Sequence, residues 1–303
     1  MSALHPTGVF CAALTPFNAD FSVDTARFVA HCHTLLSDGC DGIALLGTTG
    51  EANSLSLDER KALLEATLAA GIAPEKLMPG TGVAALPETV ALTRHALANG
   101  VTTVVMLPPF YYKGVSSEGL VAAYSQVVEA VGDDRLKVVL YHIPQMSGVP
   151  IPHDVIEQLR ARYPSVFVAI KDSSGDRANM EAMLERFPGL SVLIGADPLM
   201  LPLLAKGAAG CITATSNLVG GDLAFIFRHH ADPARAAEVA AAQERVAKAR
   251  NAASIHPQMA SLKAVLAARP AGEGWSRLRP PLMPLSGEAE AEVRKAFSEI
   301  SVP

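Results

Sequence analysis

A lysine closes the apolar run Val166-Phe167-Val168-Ala169-Ile170-Lys171, and Asp172-Ser173-Ser174-Gly175-Asp176 comes next with residues that start helices. The apolar positions predict a strand buried on both faces, so the Lys171 ammonium stands at the edge of a dry interior. Burial without a partner disfavours the charged form, and a neutral amine condenses with a ketone to give an imine. The plainer reading of a single strand-end lysine is a side chain that reaches out to water along its own methylenes. Other stretches carry matching chemistry. Gly47-Thr48-Thr49-Gly50-Glu51 sets two hydroxyls and several backbone N–H groups close together, which suits a carboxylate, although glycine and threonine also simply make turns. Tyr141-His142-Ile143-Pro144 closes another apolar run with a tyrosine and a proline. Pro108-Pro109-Phe110-Tyr111-Tyr112-Lys113 is a strongly aromatic loop, packed either on a neighbouring element or on a second subunit.

The elements that must hold these residues repeat along the chain. Apolar strands at 8–17, 42–46, 77–82, 102–107, 137–141, 166–170, 191–195 and 210–213 are each succeeded by a segment of helical spacing. Pro79 makes the third strand the weakest of the set. Eight strand-then-helix units predict a (β/α)8 TIM barrel, an α/β fold in which chemistry sits at the carboxyl ends of the strands. No GxGxxG comes after a strand, which speaks against a doubly wound dinucleotide-binding sheet. Helical runs at 234–250, 257–267 and 289–300 extend the chain, so residues 1–230 are expected to form the barrel and 231–303 a C-terminal helical appendage on its side.

Composition narrows the function classes. Half of the 303 residues are hydrophobic, 18% are charged, and the net charge of −5 includes no basic block, which argues against a nucleic-acid surface. No apolar run reaches membrane-spanning length, and the first residues lack the basic and apolar regions of a signal peptide. Cys11, Cys32, Cys40 and Cys211 have no CxxC spacing and read as buried, reduced thiols of a cytoplasmic protein. The pairs His31/His33 and His229/His230 join no metal-site spacing and read as helix-surface residues, so no metal is expected.

Taken together, Gly47-Thr48-Thr49-Gly50-Glu51, Pro109 to Tyr112, Tyr141-x-x-Pro144 and Ile170-Lys171-Asp172 resemble the dihydrodipicolinate synthase / N-acetylneuraminate lyase family in order and spacing. The resemblance implies a class I lyase that handles pyruvate and related 2-oxo acids through a covalent imine on Lys171, with no other cofactor. It implies Tyr141 as the proton shuttle at the imine, with Thr48 and Tyr112 as relay partners. It implies Thr49 and the backbone of Gly47 as the carboxylate site, and Ile212 as a residue whose backbone lines the pyruvate pocket. It further implies a homo-oligomer, dimer or tetramer, in which the residue matching Tyr112 reaches across a subunit interface.

The match departs from the family at informative places. The synthase branch carries an arginine two residues after the proline of the tyrosine motif, where this chain has Met146. A thioether cannot replace a guanidinium fork that binds a second carboxylate. Ser147-Gly148-Val149 is closer to the sialic-acid lyase branch, but that branch carries Gly-x-Asp-Glu after strand seven, where this chain reads Gly195-Ala196-Asp197-Pro198. Asp197 is either a helix cap or a substrate ligand. His142 alternates away from Tyr141 and is expected behind the site. The expectation is a Schiff-base aldolase or dehydratase for a 2-keto-3-deoxy sugar acid or similar substrate. The alternatives are a dihydrodipicolinate-type synthase and a small-molecule-binding barrel without turnover.

Overall fold

Each apolar run that ends in a polar, glycine- or proline-rich turn becomes a strand of one parallel sheet. In the computed structural model, which describes residues 5–270 and 272–300, the strands are β1 (Gly8–Ala12), β2 (Gly42–Ala44), β3 (Thr103–Met106), β4 (Lys137–His142), β5 (Phe167–Asp172), β6 (Ser191–Ile194) and β7 (Gly210–Thr213). They run in the order β2-β1-β7-β6-β5-β4-β3. The gap between β2 and β3 is filled by segment 77–81, the expected third strand. Met78 and Gly80 donate to the carbonyls of Ile43 and Leu45, both at 2.9 Å. On the other side Thr81 donates to Val105 O at 2.9 Å, and Val105 donates to Pro79 O at 3.0 Å. Pro79 has no N–H to give β3, so this eighth member is held by isolated bridges and not by a full ladder. The barrel is closed all the same.

Helices separate the strands. In the barrel they are α1 (Thr25–Ser37), α2 (Leu57–Ala69), α3 (Leu86–Ala98), α4 (Ser117–Val131), α5 (Pro144–Ser147), α6 (His153–Arg162), α7 (Arg177–Arg186), α8 (Met200–Leu204) and α9 (Ser216–His229). Beyond them α10 (Ala236–Ala253), α11 (Gln258–Ala267) and α12 (Gly287–Ser298) pack onto the flank, α10 chiefly against α9. No described helix is long and apolar enough to cross a membrane.

Strand alternation divides the core in two. Val9, Cys11, Val138, Leu140, Ile170 and Ile194 face the helices. Phe10, Ala12, Val139, Tyr141, Leu193 and Ile212 fill the barrel interior. This period carries Tyr141 inward and His142 outward, as the sequence predicts. Behind the strand, His142 Nδ1 accepts the N–H of Ile151 at 3.0 Å, and burial lowers its pKa. The first strand is shorter than the apolar run 8–17 that predicts it, because the chain leaves the sheet after Ala12.

All four cysteines are buried and unpaired. One histidine assignment is corrected. His31 lies not on the surface of α1 but on its buried stripe with Phe28 and Leu35, where the 3.6-residue period places it. Its Nε2 is 2.8 Å from Asn217 Oδ1, and burial pulls its pKa down to about 4.

Candidate active site

Lys171 is the penultimate residue of β5, in register with Tyr141 of β4 on one side and Leu193 of β6 on the other. It is only 5% exposed. Its Nζ lies 4.1 Å from the centroid of the Tyr141 ring, so the aromatic face is its close neighbour. The Tyr141 hydroxyl in turn donates to Thr48 Oγ1 at 3.3 Å. Three residues expected to act together are thus brought into one chain of contacts from three parts of the sequence.

The turn after Lys171 fixes the lysine in place. Asp172 points the other way, where its carboxylate accepts from the Ser174 N–H at 2.7 Å, the Ser174 hydroxyl at 2.6 Å and Asn179 Nδ2 at 2.8 Å. Asp176 then caps α7 by accepting the Asn179 N–H at 3.0 Å. The strand end therefore passes into the helix through a well-bonded turn.

The loop with Gly47, Thr48 and Thr49 is more strained. Leu46 (φ +60°) and Glu51 (φ +55°) both adopt the left-handed region, which costs a non-glycine residue roughly 1–2 kcal/mol each. Glu51 N–H donates to Thr48 O and Ala52 N–H to Gly47 O, each at 3.1 Å, and the Thr15 hydroxyl ties Gly50 O to the segment that follows β1 at 2.7 Å. Glu51 supplies the strongest anchor. Its buried carboxylate accepts from Lys263 of α11 and from the Arg279 N–H at 3.1 Å. Lys263 is itself enclosed, donates to Arg277 O at 2.7 Å and lies 4.5 Å from the Phe17 ring. Burial lowers its pKa to about 8 against the opposing pull of Glu51.

Sequence reasoning misses this pair, because nothing near Lys263 marks it. Lys263→Met is expected to destabilise the fold by about 3–5 kcal/mol, since it strands the Glu51 carboxylate in a dry site. The double variant Glu51→Leu/Lys263→Met is expected to recover much of that loss. Urea unfolding of the four-member cycle measures both; additive losses would mean that the two charges are not coupled.

The other sequence-predicted residues divide between the site and its surroundings. Thr49 adjoins Thr48 and is buried, and Ile212 of β7 lies in the barrel interior beside Phe10 in register. Tyr112 does not join Tyr141 and Thr48: it is 74% exposed and meets Tyr111 edge to face at 5.3 Å. Asp197 requires correction. It neither caps a helix by its side chain nor offers a free oxygen to a substrate. It is fully buried, accepts from the Thr215 hydroxyl and lies 3.2 Å from Arg250 Nη1, which makes it an anchor between the β6 loop and α10. Met146 is 60% exposed on α5, immediately past the tyrosine strand. Lys113 donates to Ser147 O at 2.5 Å and to Phe110 O, tying the aromatic loop to the end of α5.

A cavity of about 720 Å³ opens at the other end of the barrel, lined by Lys76, Thr103 and Lys137 where strands begin. None of Lys171, Tyr141, Thr48 and Thr49 reaches it. These four stand at the carboxyl end of the barrel, the end at which folds of this kind place their chemistry.

Known proteins resemble this chain along nearly its whole length. An uncharacterized DapA-like lyase from Chloroflexus aurantiacus is 36% identical over 98% of this chain and 97% of its own length. A 4-hydroxy-tetrahydrodipicolinate synthase from Methanothrix thermoacetophila is 31% identical over 97% of each chain. Among solved structures, YagE from E. coli K12, a prophage protein of the dihydrodipicolinic acid synthase family in complex with pyruvate, superposes with a TM-score of 0.88 at 25% identity, covering 98% of this chain and 99% of the other. The sequence model of the dihydrodipicolinate synthetase family matches residues 5–300, and with relatives of this similarity along its whole length the chain belongs to that family.

Proposed function

We propose that this lyase forms its imine on Lys171 and cleaves or dehydrates a 2-oxo acid whose tail is hydroxylated or neutral. The observation that carries the reading is the buried Lys171 Nζ against Tyr141, with the Tyr141 hydroxyl bonded to Thr48. The Lys171 amine adds to the 2-oxo carbon, and loss of water leaves a protonated imine. That imine draws the electron pair of the C3–C4 bond into an enamine, while Tyr141, passing its own proton to Thr48, takes the proton from the C4 hydroxyl and an aldehyde departs. Protonation of the enamine at C3 and hydrolysis then return pyruvate and the free amine. Thr49 and the Gly47 backbone are assigned to the substrate carboxylate, and Ile212 to the wall of the pyruvate pocket. The covalent imine serves in place of an added cofactor.

Two exposed aromatic rings side by side, Tyr111 and Tyr112, fit a surface covered by a second copy. In a homo-oligomer of this kind Tyr112 would complete the relay of its neighbour. Four buried free thiols fit a reducing compartment, the cytoplasm.

Met146 sets the preference for the tail. Aspartate semialdehyde brings a second carboxylate, to which Met146 offers no donor, while Lys113 is engaged by two carbonyls. A missing charge-assisted hydrogen bond lowers binding by about 1.5–3 kcal/mol, or roughly one to two decades. Met146→Arg is therefore expected to raise kcat/KM for the semialdehyde by that factor and to lower it for 2-keto-3-deoxy acids. Kinetics with both substrate classes test the reading. A wild-type kcat/KM for the semialdehyde above that for every sugar acid would make the chain a synthase, and binding of all of them without turnover would make it a non-enzymatic barrel.

A further inference from the structure

Thr48 and Tyr141 face a second feature besides Lys171. Together with Asn53 and Arg60 they line a cavity of about 20 Å³. Arg60 lies on α2 and is almost completely buried. One arm of its guanidinium is fixed, since Nη2 donates to Gly80 O at 2.9 Å. The Nε–H is buried and has no acceptor among the described residues. A buried guanidinium with an idle donor is unusual, because Arg is tolerated inside proteins when its fork is bonded. The cavity is the right size to resolve this: roughly 10–15 Å³ suffices for one water, provided that it finds two to four polar partners.

We propose that Arg60 is a positioning residue for the Tyr141–Thr48 pair, acting through one ordered water in the cavity that these side chains share. The Arg60 Nε–H donates to the water oxygen, and the water donates one hydrogen to Tyr141 Oη or Thr48 Oγ1. Tyr141 has lone pairs available for this, because its own hydrogen points to Thr48. No proton crosses the guanidinium, which stays charged throughout. Its effect is to orient the two hydroxyls and to favour the phenolate when Tyr141 gives up its proton.

Lys171 lies over the Tyr141 ring and acts in the same direction as Arg60, while the Glu88 carboxylate of α3 faces Arg60 and partly offsets its field. Burial lowers the Arg60 pKa to about 10, which still leaves it charged at neutral pH. His142 and Asp172 lie on the outer face of the strands.

The inference rests on the roles proposed for Tyr141 and Thr48, and the test separates the two. In Arg60→Met the limb of the kcat–pH profile set by Tyr141 is expected to move up by about one pH unit. The accompanying loss in kcat is roughly tenfold, the equivalent of one unit. Borohydride trapping of pyruvate should stay within about twofold of wild type, because imine formation does not use the water. Arg60→Lys keeps the charge and is expected to restore at least half of the shift. A crystal structure of the wild-type protein should show a water bonded to Arg60 Nε and to one of the two hydroxyls.

A folded Arg60→Met protein whose limb stays in place overturns the inference, and so does a dry cavity. Should Arg60→Met fail to fold, the wild-type crystal structure decides alone. Failure to trap Lys171, or an active Tyr141→Phe, would instead overturn the underlying reading of the site.

Discussion

Borohydride added in the presence of pyruvate is expected to leave a reduced adduct on Lys171 and on no other lysine, and Lys171→Arg is expected to lose turnover by a factor on the order of 10⁴ or more. Removing a covalent nucleophile takes away the intermediate itself, and losses of that order are seen when such a residue is deleted. Arginine keeps the charge and most of the length but cannot form an imine, so the variant separates electrostatics from covalent chemistry. The other buried lysine makes the experiment discriminating. Burial lowers the Lys263 pKa to about 8, but this lysine is enclosed and bonded to Glu51 and Arg277 O, so no substrate reaches it. Peptide mass mapping locates the adduct, and the same labelling in the presence of chelator should be unchanged. An adduct on Lys263, or none on Lys171, would remove the mechanism.

Tyr141→Phe is expected to lower kcat by about 10²–10⁴, the range for a general acid–base group, while the yield of trapped pyruvate changes far less. The ring beside Lys171 survives in the variant, so the amine keeps its aromatic neighbour at 4.1 Å and its burial. Only the hydroxyl bonded to Thr48 is lost. Steady-state kinetics set against single-turnover trapping distinguish the two steps. A fall in kcat of less than about tenfold would reduce Tyr141 to a packing residue.

The barrel is legible in the sequence wherever a strand is a clean apolar run with a punctuated end, and the same ends display Lys171, Tyr141 and the two threonines. The third strand is the exception that the sequence itself flags, because Pro79 deletes one donor from the ladder without preventing closure. What the sequence hides is everything that depends on distant partners. Arg60 gains its meaning from Gly80 O, Asp197 from Arg250, and Glu51 from Lys263. Asp197 looks like a ligand or a cap in one dimension, and only packing against α10 shows that its charge is already engaged. His31 is misread for a different reason: attention to the doublet with His33 obscures the helical phase that buries it. Tyr112 stands apart on the surface of the single chain, where nothing in its own loop sequence marks its distance from Tyr141 and Thr48.

The bond between Glu51 and Lys263 spans 212 residues and therefore sets an order of events during synthesis. The strands bearing Tyr141 and Lys171 leave the ribosome well before Lys263 and Arg279 exist, and strands that pair locally need little loop closure. Until the C-terminal segment arrives, the left-handed turn at Glu51 has no cation to hold it, and its strain favours other conformations of the threonine loop. A half-made chain thus lacks the buried cation against which the threonine loop is held. The C-terminal segment is the last part of the threonine loop's anchorage to be made, although the loop itself is among the first parts of the chain to be synthesised.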